Sequence, residues 1–474
     1  MAESAIPAHL QRTRLRTVRV PDDYEPPYPS FSARYRPSVA QVVMAYFGVQ
    51  WRGPRPEAVD LALDRLWSDL QTSGAGHRDN ASYVDEAGCA TRLTVAYWDS
   101  TTDFEAWFDA HGRLWTNPAS LHDGVGFFTE ILRPTVDRYE TLFSADDRLE
   151  GVGVLAPAIS GPIQEHAYWG GARDRIPLSQ TDPMAPGGVP VIDVDGPLRR
   201  VRPAENICLI RSGQDWTDTE ADERQMYLRD VEPVLRVGMD FLRDEGLDIG
   251  CYANRYVTVL NEDGTPSDRS YGMSWWKSLA ALERWSESHP THVAIFGAAM
   301  KYLSALGPNA RLKLYHEVTV ASAAQQSFEY FNCHDATGML RASQQPARLQ
   351  RGWLQVATDD GCHGEDAGGE GPGSVDDPGS GDRPGVGGPG APYEPAPGLA
   401  DVARLAADGH HRHARHRRRR GGRHRRGSGH HGPEPEPRHR RHGHPHARHG
   451  RHPGDPADHL GSQPGQRRGA DDVR

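Results

Sequence analysis

The sequence predicts an α+β fold made of two βαββαβ halves of the ferredoxin-like type, whose antiparallel sheets face each other as in a dimeric α+β barrel. Two observations indicate this fold. Strand-like and helix-like segments follow one another in the same order over residues 42–145 and again over residues 205–321. The halves also share letters at one constant offset, because AYWDSTTDFEAWFDAH aligns with SWWKSLAALERWSESH without a gap.

The first half begins with a strand predicted at residues 42–51. A helix follows at residues 56–71, where apolar side chains recur at helical spacing. Residues 93–98 favour another strand, and the sequence Thr-Asp-Phe-Glu at residues 102–105 is typical of a capping box that starts a second helix. Residues 138–144, RYETLFS, are expected to close this half as its last strand.

The second half repeats this order. A strand is predicted at residues 206–212, a helix at residues 222–245, and a hairpin over residues 252–276 that turns at Asp263-Gly264. Ser278 is expected to cap the next helix, which ends near Pro290 because proline disfavours helix in the residue before it.

The end of the second half places two histidines toward the interior. Thr291 is expected to cap a helix on which His292 shares a face with apolar residues. In the strand that follows, alternation puts His316 on the same face as Val318 and Val320. Each histidine alone has the ordinary explanation of a satisfied core residue. Together they are also consistent with one ligand of a metal or cofactor and one group that carries protons.

Composition excludes several functional classes. The formal net charge of −10 argues against a general nucleic-acid binder, and the five scattered cysteines form no CxxC pair that would indicate a zinc ribbon or a disulfide framework. The sequence has no signal-like apolar region and no run of membrane-spanning length. A reducing, cytoplasmic location without a membrane is therefore the simplest prediction.

The type of cofactor is narrowed by the motifs that the sequence lacks. It contains no Gly-rich phosphate loop, no HExxH pair and no carboxylate cluster. An apolar interior between the two sheets, with one histidine on a helix and another on a strand, is compatible with haem held by a proximal histidine. Any such haem would be bound without thioether links, because there is no CxxCH.

The composition changes abruptly after Met339. Residues 359–402 are rich in Gly, Pro and Asp, and Arg and His dominate from His410 onward. We expect residues 342–474 to be a disordered tail, because such a composition buries too little apolar surface to offset the entropy of ordering. The tail could bind nucleic acid or metal ions, or it could be the product of a shifted reading frame, since these residues have GC-rich codons. Sequencing the frame beyond Met339 decides between these interpretations.

Residues 1–341 resemble a known family, the haem-containing aldoxime dehydratases, which convert an aldoxime to a nitrile and water. The long motifs that carry the resemblance are ESAI (3–6), LEGVGV (149–154), EHAYWG (165–170), RIPLSQTD (175–182), LIRSGQDW (209–216), ERWSESHPTH (283–292), LYHEV (314–318) and HDATGML (334–340). The resemblance implies that residues 1–341 are a haem-binding catalytic domain with two ferredoxin-like halves. It also implies a homodimer.

The resemblance implies a cofactor and a set of site residues. The cofactor is non-covalently bound haem b, in the ferrous state, with His292 as the proximal ligand rather than His289. His316 matches the distal catalytic histidine. The remaining matched site residues, which would hold the substrate hydroxyl or lie near that histidine, are Ser212, Arg175 and Glu140.

Each of the last three residues also has an ordinary structural explanation. Ser212 precedes a glycine at a strand end, Arg175 could form a surface ion pair, and Glu140 could pair with a nearby arginine such as Arg138 or Arg133. Two other functional classes stay open at this point. One is a haem peroxidase or monooxygenase on the same scaffold, and the other is a non-catalytic haem carrier or sensor.

Overall fold

The computed structural model describes residues 2–20, 22–116 and 124–344. The predicted tail lies outside the described residues, apart from residues 342–344. Within that described part, no helix is both long enough and apolar enough to cross a membrane.

Strands and helices alternate through the described residues, which confirms the α+β class. The strands are β1 (Ala33–Arg34), β2 (Val43–Trp51), β3 (His77–Val84), β4 (Ala90–Trp98), β5 (Val125–Leu132), β6 (Tyr139–Phe143), β7 (Ala158–Ile159), β8 (Val191–Asp195), β9 (Leu198–Arg202), β10 (Ile207–Asp215), β11 (Cys251–Leu260), β12 (Pro266–Trp276), β13 (Lys313–Ala321) and β14 (Gln326–Phe331). The α-helices are α1 (Glu57–Leu70), α2 (Thr101–Ala110), α3 (Gly171–Arg175), α4 (Ala221–Met226), α5 (Glu232–Glu245), α6 (Leu279–Ser288) and α7 (Pro290–Leu306).

One long antiparallel sheet runs through both halves, in the order β6-β13-β10-β12-β11-β3-β4-β2-β5-β14-β9-β8. Read outward from the junction of the halves, the first half contributes β3-β4-β2-β5 and the second contributes β11-β12-β10-β13. In each half, the second strand is therefore at the junction, followed by the third, the first and the fourth. The halves join where β3 pairs with β11. The halves therefore share one continuous antiparallel sheet, where the sequence predicted a facing antiparallel sheet in each half.

The last strand of the first half was predicted wrongly. The strand that pairs with β2 and completes that half is β5, not the segment at residues 138–144. Every residue of β5 is buried, so its sequence VGFFTEIL lacks the alternation that marks a half-exposed strand. The predicted segment forms β6 instead, which pairs with β13 of the second half.

Helices cover one face of the sheet in each half, and the opposite faces pack together. Helices α1 and α2 bury apolar side chains against the first half, and α5 and α6 do so against the second. The other faces contribute to a single apolar cluster that includes Tyr46, Phe128 and Trp275. Within it, Arg255 donates two hydrogen bonds to Glu130. The space between the halves is thus filled by side chains.

The HDATGML motif ties the end of the domain to this core. His334 lies 2.7 Å from the Asp85 carboxylate, and the Thr337 hydroxyl lies 3.0 Å from the Gln50 side chain. The Met339 amide donates to the Tyr330 hydroxyl, and Met339 itself is fully buried. The motif is part of the fold, and residues beyond it are not needed for these contacts.

A chain that ends at Gln344 should unfold at the same temperature as the full chain and bind the same amount of haem. A matched chain that ends at Asn332 should be strongly destabilised, because it loses the buried Met339 and Leu340 side chains, each worth about 2–5 kcal/mol by comparison with Leu or Met to Ala changes in cores. Thermal unfolding and haem absorbance measure both outcomes. Loss of haem from the chain ending at Gln344 would show that the tail contributes to the domain.

Candidate active site

Three of the predicted site residues meet through direct contacts. Arg175 Nε donates to Glu140 Oε2 at 2.6 Å, and Arg175 Nη2 lies 2.7 Å from His316 Nε2. His316 Nε2 is also 3.1 Å from Glu140 Oε1. Arg175 is 3% exposed and Glu140 is 1% exposed, so neither the surface ion pair considered for Arg175 nor pairing of Glu140 with Arg138 or Arg133 is correct.

Strand pairing brings these residues together. In β10 and β13, Ser212 lies directly opposite His316, so their side chains share a face. In β13 and β6, Glu140 lies opposite Val318, which is two residues from His316 and on the same face. Arg175 reaches this face from the end of α3. The pairing of β6 with the second half is therefore what places Glu140 at the site.

Electrostatics keep the Glu140 carboxylate ionised. Its burial alone would raise its pKa, but the Arg175 guanidinium, followed by His316, holds the pKa of Glu140 below its ordinary value. Leaving either buried charge without its partner would be costly, because a buried ion is stable only when it is paired and hydrogen-bonded.

The same geometry assigns a tautomer to His316. Arginine can only donate, so His316 Nε2 accepts from Arg175 and the proton of the neutral ring lies on Nδ1. Glu140 Oε1 then has no hydrogen-bond partner among the described residues. When His316 takes up a second proton, Nε2–H can donate to this oxygen. Each protonation state of His316 thus has a partner, as a group that both donates and accepts protons requires.

The ring of His316 remains open toward a ligand. Its side chain is 25% exposed, and Nδ1 has no hydrogen-bond partner within the described part of the chain. Ser212, in register beside it, is half-buried, and no other described side chain engages its hydroxyl. These two polar groups can therefore contact a molecule bound over this face of the sheet.

His292 lies on α7, the helix that precedes β13. Two tryptophan rings pack against its imidazole, Trp285 at 4.6 Å and Trp169 at 5.8 Å between centroids. Burial lowers the pKa of His292 to about 4, with His289 and His316 acting in the same direction and the Ser286 backbone opposing them. The ring is therefore neutral at physiological pH, which is the form that ligates a metal.

The surroundings of His292 fit a haem. Residues 291–300, THVAIFGAAM, are almost entirely apolar, yet each of them is only half-buried. An apolar helix face that the protein leaves incompletely covered is what a flat hydrophobic cofactor needs. The Nδ1 atom of His292 is buried and has no partner in hydrogen-bond geometry among the described residues. His292 is thus the residue that would hold the iron of a bound haem.

His289 is engaged in the structure of the helix. It is the N-cap of α7, where its Nδ1 lies 2.9 Å from the Thr291 hydroxyl, and its ring stacks on Phe241. The prediction that Thr291 caps this helix is therefore wrong, because α7 begins at Pro290, which as the first helical residue needs no N–H partner.

The site lies in a different layer from the one expected. On the face that carries Ser212 and His316, the neighbouring Cys208 and Val318 pack with α5 and α6. The histidines of α7 and β13 therefore flank the space between the second half's sheet and its own helices. The prediction of a site between the two halves, with His316 facing it from an opposite sheet, is wrong.

A separate cavity of about 530 Å³ opens beside the junction of the halves. Among the described residues, its lining contains no histidine, and two of its arginines are already paired, Arg255 with Glu130 and Arg243 with Asp240. The described lining of this cavity therefore offers no imidazole that could hold a haem iron as His292 could.

Sequence reasoning missed the segment that connects the two sides of the site. In residues 165–175, Trp169 packs on His292 and Phe296, whereas Arg175 contacts His316. The Glu165 carbonyl accepts a hydrogen bond from Arg175 Nη1 at 2.7 Å. The EHAYWG motif was the available signal, but only the fold shows what it contacts.

Comparison with known proteins shows the family of this chain. The sequence profile of the haem-containing dehydratases matches residues 45–339. The chain belongs to this family. Among similar haem-containing dehydratases is the aliphatic aldoxime dehydratase of Rhodococcus globerulus, which is 46% identical over 347 residues, or 72% of this chain and 98% of that protein. The phenylacetaldoxime dehydratase of Bacillus sp. (strain OxB-1) is 31% identical and covers 68% of this chain and 93% of its own.

Solved structures of relatives have the same fold. A crystal structure of an aldoxime dehydratase matches with a TM-score of 0.68 at 43% identity, covering 72% of this chain and 98% of that one. A second, in complex with butyraldoxime, matches with a TM-score of 0.67 at 43% identity, with coverage of 72% and 96%. Both likenesses extend over nearly the whole length of the relatives.

Proposed function

We propose that this protein is a haem-dependent lyase that dehydrates aldoximes, R–CH=N–OH, to nitriles and water. The observation that carries the proposal is the environment of His316, whose Nε2 is held by Arg175 and Glu140 while Nδ1 has no hydrogen-bond partner among the described residues and Ser212 lies in register beside it. Membership of the haem-containing dehydratase family and identity of 43–46% to four aliphatic aldoxime dehydratases support it. Those relatives also favour an aliphatic substrate.

The reaction needs an acid at the oxime oxygen. Hydroxide is a poor leaving group because it is a strong base, so the oxygen must leave as water. His316 is the group placed to protonate it. The proton on the oxime carbon must also be removed. Once Nδ1 of the doubly protonated ring has given its proton to the oxygen, the remaining ring proton lies on Nε2 beside Glu140 Oε1, and Nδ1 can accept the carbon proton. The substrate loses one water, His316 returns to its first state, and no net oxidation or reduction occurs.

The other residues orient the substrate and the acid. Haem, when bound, supplies a ferrous iron that can bind the oxime nitrogen and weaken the N–O bond. Ser212 is a neutral donor on the same face as His316 and can fix the direction of the oxime hydroxyl. Arg175 and Glu140 both face Nε2 of the imidazole and keep the ring in place, Arg175 when Nε2 has no proton and Glu140 when Nε2 carries one.

The other two functional classes are not favoured. A peroxidase or monooxygenase consumes an oxidant, whereas dehydration needs none. A haem carrier requires His292 but has little use for the buried arrangement of Glu140, Arg175 and His316. The relatives named above are dehydratases rather than oxidases or carriers.

One experiment tests the activity. Haem-reconstituted, fully reduced protein is incubated without oxygen with butyraldoxime, other aliphatic aldoximes and phenylacetaldoxime, and nitrile is measured. We expect nitrile from each, with higher kcat/KM for the aliphatic substrates. No nitrile across the panel, together with turnover of peroxide, would replace the proposal with the peroxidase class.

Ser212→Ala should lower nitrile formation about tenfold, because it removes one orienting hydrogen bond worth roughly 1–2 kcal/mol in the reacting complex. Ser327→Ala is a matched control, since Ser327 is also a half-buried strand serine but lies on β14, which pairs with β5 of the first half. Steady-state kinetics of both variants at equal haem content measure the effect. Equal rates for the two variants would remove Ser212 from the site.

Three further features belong to this proposal. Each half is ferredoxin-like, which the strand order within the halves supports. The protein acts in the cytoplasm as a homodimer, by analogy with the family. Light scattering of the purified protein tests the dimer, and a single-subunit mass would refute it.

A further inference from the structure

We propose that the ESAI segment, residues 3–6, positions Arg175 for the reaction by fixing the Glu165 carbonyl that receives its guanidinium. The inference rests on the proposed function and assigns a role in it to a segment more than 150 residues away in the sequence. We call residues 3–6 the N-terminal clasp.

The clasp holds both oxygens of one carboxylate. The Ser4 hydroxyl donates to Glu165 Oε1 at 2.9 Å, and the Ala5 amide donates to Glu165 Oε2 at 2.7 Å. Backbone bonds align the two segments, because the Glu3 amide donates to the Pro162 carbonyl and the Gln164 amide donates to the Glu3 carbonyl, each at 2.8 Å. Glu165 is therefore fixed at its side chain and through the backbone of the preceding residue.

The backbone that follows Glu165 is held in an unusual conformation. Ala167 has a φ of 62°, in the left-handed region that non-glycine residues rarely adopt. Such a conformation persists only where the surroundings enforce it. Here the Tyr24 hydroxyl lies 3.0 Å from the His166 carbonyl and 3.2 Å from the Ala167 carbonyl. The first part of the chain thus restrains this loop on both sides of His166.

The restrained loop ends in a contact with the catalytic arrangement. The Glu165 carbonyl accepts from Arg175 Nη1 at 2.7 Å. The guanidinium is a rigid planar fork, and its other two contacts, to Glu140 and His316, lie along Nε and Nη2. The third contact holds the remaining nitrogen, Nη1, so the direction from which Arg175 donates to His316 also depends on the position of the Glu165 carbonyl. A shift of that carbonyl would turn the guanidinium relative to His316.

Glu165→Ala is the variant that tests the clasp. We expect kcat for nitrile formation to fall by about tenfold to a hundredfold, the loss typical when a catalytic group is displaced by up to 1 Å. Haem content and the binding of aldoxime to the ferrous protein should stay unchanged, because Trp169 is anchored by its own packing on His292 and Phe296. Ser4→Ala, a milder change, should lower kcat in the same direction.

His9→Ala is the matched control on the same N-terminal region. His9 lies three residues after the clasp and is exposed, and its side chain makes no hydrogen bond or ion pair within the described part of the chain, so this variant should keep the full rate. If Glu165→Ala does not fold, kcat of Ser4→Ala tests the inference instead. A normal kcat in the folded variant refutes the inference.

A double variant separates positioning from general loss of stability. In an Arg175→Gln background, Glu165→Ala should cause no further loss of kcat, because the group that it positions is already absent. Full additivity of the two losses would overturn the inference. Absence of nitrile from the unmutated protein would instead refute the proposed function, so the two failures are distinguishable.

Discussion

Replacing His316 with Ala is expected to slow nitrile formation by about 10²–10⁴-fold, the usual contribution of a positioned general acid or base. Haem content should match that of the unmutated protein, since His316 lies on β13 and His292 on α7. Aldoxime should still bind to the reduced protein, which a shift of the haem absorption band reports. The rate is measured under anaerobic, fully reduced conditions.

A second substitution separates proton transfer from positioning. His316→Gln retains a side-chain oxygen that can accept from Arg175, yet an amide does not exchange protons near neutral pH. We expect it to be as slow as His316→Ala. His111→Ala is the control, because His111 is a partly exposed residue at the end of α2 in the other half. A rate near that of the unmutated protein for either His316 variant would rule out His316 as the acid.

The sequence was sufficient for the elements whose pattern is local. The helix at residues 222–245 is present as α4, a π-helical turn and α5, and Ser278 caps α6 through the Ala281 amide. Alternation placed His316 on the face of Val318 correctly. These features depend on spacing and capping within one segment, which the order of residues specifies directly.

Strand partners were not predictable in the same way. The segment RYETLFS has strand character, but nothing local states whether it pairs with the first half or the second. The burial of β5 on both faces removed the alternation that would have assigned it to the first half. As a result the position of Glu140 near His316 followed from the resemblance alone, and its cause, the pairing of β6 with β13, required the fold.

The layer of the site also required the fold. Two inward-facing histidines are compatible with a space between the halves or with a space under the helices. Large side chains such as Tyr46 and Trp275, and the buried Arg255–Glu130 pair, fill the first space. Which of the two spaces can hold a ligand depends on the volumes of side chains from many segments, and no single motif predicts these volumes together.

Replacing His292 with Ala should abolish or strongly reduce haem binding. Removing a hydrogen-bond partner of a metal ligand lowers the affinity for the metal by roughly 10–100-fold. The loss of haem affinity should be larger here, because the ligand itself is removed. The ratio of haem to protein and the intensity of the Soret band measure it. Without haem, nitrile formation should disappear as well.

His289→Ala is the matched control, three residues earlier on the same segment. It removes the N-cap of α7 and should cost about 0.5–2 kcal/mol of stability, but it should retain haem. If haem is lost from His289→Ala and kept by His292→Ala, the two histidines exchange roles. Equal haem content in both variants and the unmutated protein would exclude both as ligands.

His292→Gly distinguishes loss of a ligand from loss of the fold. The variant leaves a space with the volume of an imidazole between Trp169 and Trp285, which free imidazole can enter. Added imidazole should therefore restore the Soret band of His292→Gly and leave His289→Ala unchanged. A glycine variant that unfolds would not recover, whereas a folded variant that lacks only its ligand would. Recovery of the band, followed by recovery of nitrile formation, would show that an imidazole at the position of the His292 ring holds the iron.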